Sequence, residues 1–340
     1  MKDNLYNVGI LGFGKMGKVY AEAFERNPRT NVKYIYNHCA ARKAEVTDMY
    51  PGTVFCTDWK AVIDDPFVDI VGICTPTNER ISQITYALQK GKHVICEKAM
   101  CLDEEEALKI YEAAKESTGL LRVASELKFH PTMRRAKELL PSLGDILYVS
   151  YLYCNYREEV KWKHKLAAGG GILRELGGHF LDLMNDWLGE PIRVYGRNRT
   201  INPAREVEDM SITIIQYNSG TEVLMQCNYF DHRKTSYNFN IIGTRGQMCM
   251  EVSSYDTSLK DIILYHNDGH IEKIVVECPE IGNSIYPGHM DSYQREIDQF
   301  VCDIAEENRD LASVEQEILC IKTTLASYCS STEHREVPLI

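Results

Sequence analysis

Over roughly the first third of the chain, short apolar runs rich in β-branched residues alternate with amphipathic helical stretches. The runs predict strands over residues 6–11, 32–36, 54–56, 68–74, 93–96 and 121–125, and helical periodicity fills most of the intervals, over 15–26, 79–90 and 103–117. Strand then helix, repeated, predicts a parallel sheet covered on both faces. Beyond about Glu126 the pattern changes to strand-like segments over 146–156, 193–201, 210–217, 221–230, 237–242, 247–252, 262–265 and 271–278. Turn sequences separate neighbours: Asn218-Ser219-Gly220, Gly243-Thr244-Arg245-Gly246 and Asn267-Asp268-Gly269. That pattern predicts a mainly antiparallel open sheet of hairpins. Further helices are expected over 171–188, 290–307 and 314–331. The expected architecture is α/β in two domains, 1–125 and 126–340, with no Pro/Gly-rich linker at the junction.

A length of 340 residues agrees with two domains, at roughly 100–200 residues each. With 44% hydrophobic and 26% charged residues, the composition is that of a globular chain with a sizeable core. A formal charge of −11 provides no basic field for nucleic acid or an anionic membrane surface, so the expected partner is a small molecule. No apolar run approaches the roughly 20 residues that cross a bilayer. Nor does an apolar signal core follow Met1-Lys2-Asp3-Asn4, so the cytoplasm is the expected location. Twelve cysteines form no CxxC pair and fall mostly in apolar runs, which predicts reduced core thiols. His266 and His270 flank a turn sequence rather than sharing a helix face, and no metal site is expected.

Candidate chemistry gathers in two places. Gly12-Phe13-Gly14-Lys15-Met16-Gly17 follows the first predicted strand and opens the first helix. In that context glycines permit a tight turn and close backbone approach, and the helix start offers N–H groups to a pyrophosphate, as in a Rossmann domain. Where an acid would grip the adenosine ribose stands Asn37, followed by His38, with Arg42 and Lys43 nearby. The absence of that acid tilts the expectation from NAD towards NADP. At later strand ends stand Thr75-Pro76, Glu97-Lys98 and, just beyond the sixth strand, Lys128.

The second place is the run Gly169-Gly170-Gly171 leading through Glu175 to His179. On an α-helix, Leu173, Leu176, Phe180, Leu183 and Trp187 would form one apolar stripe, while Glu175, His179, Asp182 and Asp186 fall on another face. Interior glycines cost a helix about 1 kcal/mol each, so something is expected to approach that backbone closely. A carboxylate one turn before an imidazole holds its tautomer and raises its basicity, which suits proton transfer.

With these motifs in this order, the sequence resembles the glucose-fructose oxidoreductase and inositol dehydrogenase family (Gfo/Idh/MocA) over nearly its whole length. The resemblance rests on Gly12-x-Gly14-x-x-Gly17, on Thr75-Pro76, on Gly91-Lys92-His93-Val94 leading into Glu97-Lys98, and on Gly169-Gly170-Gly171 through His179. It implies an N-terminal Rossmann domain, a C-terminal α/β domain for substrate binding and oligomerisation, an NAD(P) cofactor, and hydride transfer at a hydroxyl or keto carbon of a sugar, inositol or related polyhydroxy compound. Lys98 matches the family's catalytic lysine, His179 its histidine, and Glu175 stands where Asp is usual. Ala99 replaces the usual Pro after the lysine, Thr77 replaces an Asn, and Arg80 stands near where a His is common.

The implied cofactor site comprises Gly12, Phe13, Gly14, Lys15, Met16, Gly17, Asn37, His38, Arg42, Thr75, Pro76, Glu97 and Lys98. Substrate candidates are Lys128, Asn155, Tyr156, Trp162 and His289. Two other readings stay open within the resemblance, a glycosidase that oxidises its substrate transiently and a non-catalytic dinucleotide sensor. Apolar residues on both alternating faces of 146–156 predict a homodimer or homotetramer through the C-terminal sheet.

Overall fold

The alternating first stretch folds on schedule in the computed structural model, which describes residues 5–154, 161–230, 236–252, 261–282, 284–286 and 288–339. In chain order run β1 (Tyr6–Leu11), α1 (Lys15–Arg26), β2 (Thr30–Tyr36), α2 (Lys43–Met49), β3 (Val54–Cys56), α3 (Trp59–Asp64), β4 (Ile70–Ile73), α4 (Thr77–Gln89), β5 (His93–Cys96), α5 (Glu104–Glu116) and β6 (Leu121–Val123). The six strands are parallel in the order β3-β2-β1-β4-β5-β6, the doubly wound arrangement of a Rossmann domain. Register puts Leu11 beside Ile73, and Ile73 beside Cys96. The loops after β1, β4 and β5 therefore leave from adjoining positions at one edge.

After β6 follow α6 (Glu126–Phe129), α7 (Pro131–Leu139), β7 (Ile146–Cys154), α8 (Gly178–Leu188), β8 (Pro191–Arg199), β9 (Met210–Tyr217), β10 (Glu222–Asn228), β11 (Ser236–Gly243), β12 (Gly246–Val252), β13 (Asp261–His266) and β14 (Ile271–Val275). The chain closes with α9 (Met290–Ala305), α10 (Ala312–Glu333) and β15 (Val337–Pro338). The second sheet is ordered β14-β13-β12-β11-β7-β10-β9-β8-β15, antiparallel throughout except where β10 runs parallel to β7.

Residues pack into two compact units, Met1–Glu126 with Glu280–Ile318, and Leu127–Pro279 with Leu319–Ile340. The return of α9 to the first unit has a plain cause. Its Tyr293, Ile297, Phe300, Val301 and Ile304 lie at helical spacing and join Val8, Ile10, Val19 and Phe24 in one core. In the second unit Val149, Tyr151 and Tyr153 of β7 point into a core with Met225, Phe239 and Ile241, and Phe180 of α8 stacks on Tyr151 at 4.0 Å.

The helix expected over 171–188 differs at its start. Leu173–Gly177 forms a π-helical turn, closed by the Gly178 N–H donating to the Leu173 carbonyl, before α8 begins. Gly177 and Gly178 have no Cβ to resist the wider turn. The turn 267–269 forms as expected between β13 and β14, with Gly269 at φ 85° and the rings of His266 and His270 stacked at 5.4 Å. All twelve cysteines are free thiols.

One buried acid gives the first unit a pH dependence. Glu296 of α9 is 1% exposed; its Oε1 accepts from the Ser125 N–H at 2.5 Å, while Oε2 has no partner. Burial pushes its carboxyl well above the usual range, against the Ser125 bond, with Glu126 and Glu97 adding to the rise and Arg122 opposing it. As pH climbs past the ordinary carboxylate range, the unfolded chain ionises here first, so Glu296 costs stability progressively. The difference in melting temperature between Glu296→Gln and the native chain should move in the variant's favour by a few degrees from pH 5 to pH 8. An equal difference at both pH values in a thermal-shift measurement would exclude this.

Candidate functional site

The glycine loop of the first unit divides its task among three residues. Gly12 sits at φ 95°, its N–H donating to the Tyr36 carbonyl at 3.0 Å, and a Cβ there would meet the Cys74 carbonyl group at 2.9 Å. A Cβ on Gly17 would lie 1.8 Å from the Gly12 carbonyl oxygen, so this glycine lets α1 close on β1. Over Gly14 the space is open. Gly14 also starts α1 with no side-chain cap and no acid in the first turn, which leaves backbone N–H groups to an incoming anion. This cradle fits a dinucleotide pyrophosphate. Phe13 can offer only its backbone, since its side chain is buried edge-on to Tyr50 at 6.1 Å. Met16 packs partly against the core, and Lys15 Nζ stands 3.8 Å from the centre of the Tyr286 ring.

At the end of β2, Asn37 is half-buried and its Oδ1 accepts from the Cys39 N–H at 2.9 Å, while His38 is exposed. Arg42 donates to Glu45 at 2.6 Å, and Lys18 of α1 bonds the other oxygen of the same carboxylate. Those two cations hold the Glu45 carboxyl below its ordinary range. A carboxylate thus does occupy this neighbourhood, supplied by the helix after the strand rather than by the strand end. The pattern offered no sign of it, because Glu45 looks like any helix-face acid.

The loops after β4 and β5 are joined through α4. The buried Thr75 hydroxyl donates to Gln83 Oε1 at 2.6 Å, and Pro76 precedes the first turn. Arg80 reaches three carbonyls, Thr75 at 2.8 Å, Glu97 at 2.7 Å and Ala99 at 2.6 Å. Glu97 is buried, with its N–H on the Ile73 carbonyl at 2.9 Å, and Lys98 is half-buried, its peptide to Ala99 being cis. Burial disfavours the thiolates of the neighbouring cysteines, pushing Cys96 up to about 12 and Cys74 well above its usual value. His289, expected beside the substrate, belongs to this unit too. It starts α9, 4.7 Å ring to ring from Tyr286.

In the second unit the three glycines have neighbours of the chain's own making. A Cβ on Gly170 would meet the Lys163 carbonyl at 2.1 Å, and one on Gly171, at φ 119°, would meet the Glu208 carboxylate at 2.5 Å. Glu208 Oε1 accepts from the Leu173 N–H at 3.0 Å and from the Tyr328 hydroxyl at 2.9 Å, and its carbonyl accepts from the Ile172 N–H at 3.1 Å. The close approach that the glycines predict is therefore met by a buried carboxylate at the helix start. Burial raises the Glu208 carboxyl, opposed by these hydrogen bonds.

Glu175 is bonded to Lys163, a residue the sequence reading passed over because it lies in a 3₁₀ turn (Lys161–His164) without periodicity. His179 is half-buried one turn on. Lys128 pairs with Asp182 at 2.5 Å, three residues beyond His179. Trp162 is half-buried in the 3₁₀ turn, 5.4 Å from Lys163 Nζ, while Asn155 and Tyr156 lie outside the described residues. Among the described residues no group of three or more His, Cys, Asp or Glu could hold a metal ion, and no helix is long and apolar enough to cross a membrane.

Comparison with known proteins agrees with this geometry. Residues 6–125 match the model of an oxidoreductase family with an NAD-binding Rossmann fold (GFO_IDH_MocA), and residues 137–339 match that family's C-terminal alpha/beta domain. Levoglucosan dehydrogenase of Pseudarthrobacter phenanthrenivorans is 25% identical over 290 residues, 74% of each chain. D-xylose 1-dehydrogenase (NADP(+)) 2 of Haloferax volcanii is 24% identical over 339 residues, 97% of this chain and 99% of its own. Among solved structures, levoglucosan dehydrogenase in complex with NADH and levoglucosan superposes with a TM-score of 0.88 at 22% identity, covering 98% of this chain and 99% of that one. A glycine cradle at one strand edge and two family models that together span nearly the whole chain make it a member of the Gfo/Idh/MocA family of NAD(P)-dependent oxidoreductases.

Proposed function

We propose that this oxidoreductase moves a hydride between a nicotinamide and a hydroxyl or keto carbon of a sugar, cyclitol or related polyhydroxy compound, with Lys98, Glu175 and His179 as its working residues. The observation that carries the reading is the open Gly14 cradle at the uncapped start of α1. The substrate class is supported by relatives named for levoglucosan and D-xylose. When bound, the nicotinamide ring supplies the hydride acceptor or donor. In the oxidative direction His179 takes the hydroxyl proton as general base. Lys98 stabilises the developing alkoxide with a charged N–H donor. Glu175 orients the imidazole, and Lys163 holds Glu175.

Because NADP is the preferred cofactor in this reading, the adenosine end takes a 2′-phosphate near Asn37 and Arg42. An acid is absent from position 37, and a relative spanning the whole chain is named for NADP(+). Lys128, Trp162, His289, Asn155 and Tyr156 remain candidate substrate contacts. Twelve free thiols suit the reducing cytoplasm.

The second sheet is proposed to join two copies of the chain, as a dimer or within a tetramer. Tyr148 and Leu152 of β7, Leu224 of β10 and Ile212 and Ile214 of β9 alternate with core residues and so share the sheet's other face; Ile214 is 42% exposed.

Three outcomes follow. Lys98→Ala and His179→Ala should each lose about 10² to 10⁴-fold in turnover while still binding NADH, assayed over levoglucosan, D-xylose and inositols by nicotinamide absorbance. Full turnover in both variants would remove the mechanism. Glu45→Gln, which releases Arg42 and Lys18, should raise affinity for NADP relative to NAD by roughly three- to tenfold. An unchanged ratio in fluorescence titrations would place both cations away from the 2′-position. Sedimentation at micromolar protein should give at least twice the mass of one chain, and a monomer would exclude the shared sheet.

A further inference from the structure

Arg80 is 4% exposed, and a buried guanidinium is destabilising unless its donors are well used. Its three described hydrogen bonds go to main-chain carbonyls rather than to a carboxylate: Nε to Thr75, and Nη1 to both Glu97 and Ala99. Two of those acceptors belong to the residues immediately before and after Lys98. The third belongs to the loop at the end of the adjoining strand, where Gln83, three residues along the same helix, takes the Thr75 hydroxyl. Arg80 thus grips the main chain on both sides of one lysine and ties it to its neighbour loop.

We propose that Arg80 is the positioning residue for Lys98, fixing the height and direction at which its ammonium leaves the strand edge. This rests on the reading of Lys98 as a catalytic group. A planar guanidinium presents its Nε and Nη1 donors to the two loops in fixed directions, whereas an ammonium at position 80 is a point donor on a shorter reach. The assignment also joins two peculiarities of the sequence. Ala99 lacks the ring that would restrain the residue after the lysine. Arg80 supplies by hydrogen bonds a restraint that a ring would supply covalently.

Two measurements decide it. Competitive acetylation by acetic anhydride, read by peptide mass spectrometry, compares Lys98 with the exposed Lys109 in the native chain, Arg80→Ala, Arg80→Lys and the double variant Arg80→Ala/Ala99→Pro. The Lys98 to Lys109 ratio should rise in Arg80→Ala well beyond the scatter of repeats, rise less in Arg80→Lys, and fall back towards native in the double variant. If Arg80→Ala does not fold, Arg80→Lys carries the same test. An unchanged ratio in the folded variants overturns the proposal, and because no substrate is needed, it does so whatever becomes of the catalytic reading.

The second measurement is turnover on whichever of levoglucosan, D-xylose or scyllo-inositol is fastest. Arg80→Ala should lower kcat by about 10- to 100-fold, as expected of a misplaced catalytic group, with NADH affinity unchanged. It should cost little more in a Lys98→Ala background, since both changes disable one group. An equal cost in both backgrounds would show that Arg80 does not act through Lys98. Full turnover in Lys98→Ala would instead remove the catalytic reading and leave the clamp to the acetylation ratio.

Discussion

The first unit depends on how closely its backbone can approach itself at one edge of the parallel sheet. A single methyl group on Gly17 would lie 1.8 Å from the Gly12 carbonyl, and one on Gly12 would press on Cys74. Neither clash can be relieved by a rotamer, because the obstacle is main chain. With these contacts permitted, α1 starts directly over the end of β1, and β4 lies in register alongside. The loops that carry Thr75 and Lys98 then follow from sheet order. Everything assigned to cofactor chemistry in this unit inherits its position from that approach.

The two units treat a helix start in opposite ways. At α1 the first turn has neither a side-chain cap nor an acid, so its N–H groups and partial positive charge face open space. At the π-helical turn before α8, the Leu173 N–H is already bonded to Glu208, a buried carboxylate from a loop more than thirty residues on. One end is kept for an anion from solution and the other is satisfied from within.

Much of this was legible from pattern alone. Strands such as 6–11, 93–96 and 210–217 and the helix 15–26 sit where the sequence pattern puts them, because local pattern and burial agree there. The apolar stripe through Leu173, Phe180 and Leu183 is buried as its spacing predicts. Long-range pairing was not legible. Nothing in the helical pattern of 290–305 says that it joins a core formed nearly three hundred residues earlier, and α7 marks its buried face with few apolar residues, Met133, Ala136 and the partly buried Leu139. Among candidate site residues, glycine spacing located the cradle, but the partners that fix side chains came from afar in sequence or from irregular turns. Lys163, Glu45 and Arg80 each look like ordinary surface charge until the partners they hold are known: a carboxylate for Lys163, two cations for Glu45 and three carbonyls for Arg80.

Gly171 and Glu208 also bear on how such a chain can change over time. The space a Cβ would need at position 171 is the space the Glu208 carboxylate fills, and that carboxylate in turn satisfies Leu173 and Tyr328. A larger residue at 171 would meet that carboxylate and would also be strained at φ 119°, and a shorter residue at 208 strands the buried Leu173 N–H. Each single step is a loss, whichever is taken first. The two positions are therefore coupled through packing, and the chain's own buried carboxylate is enough to require a glycine at 171.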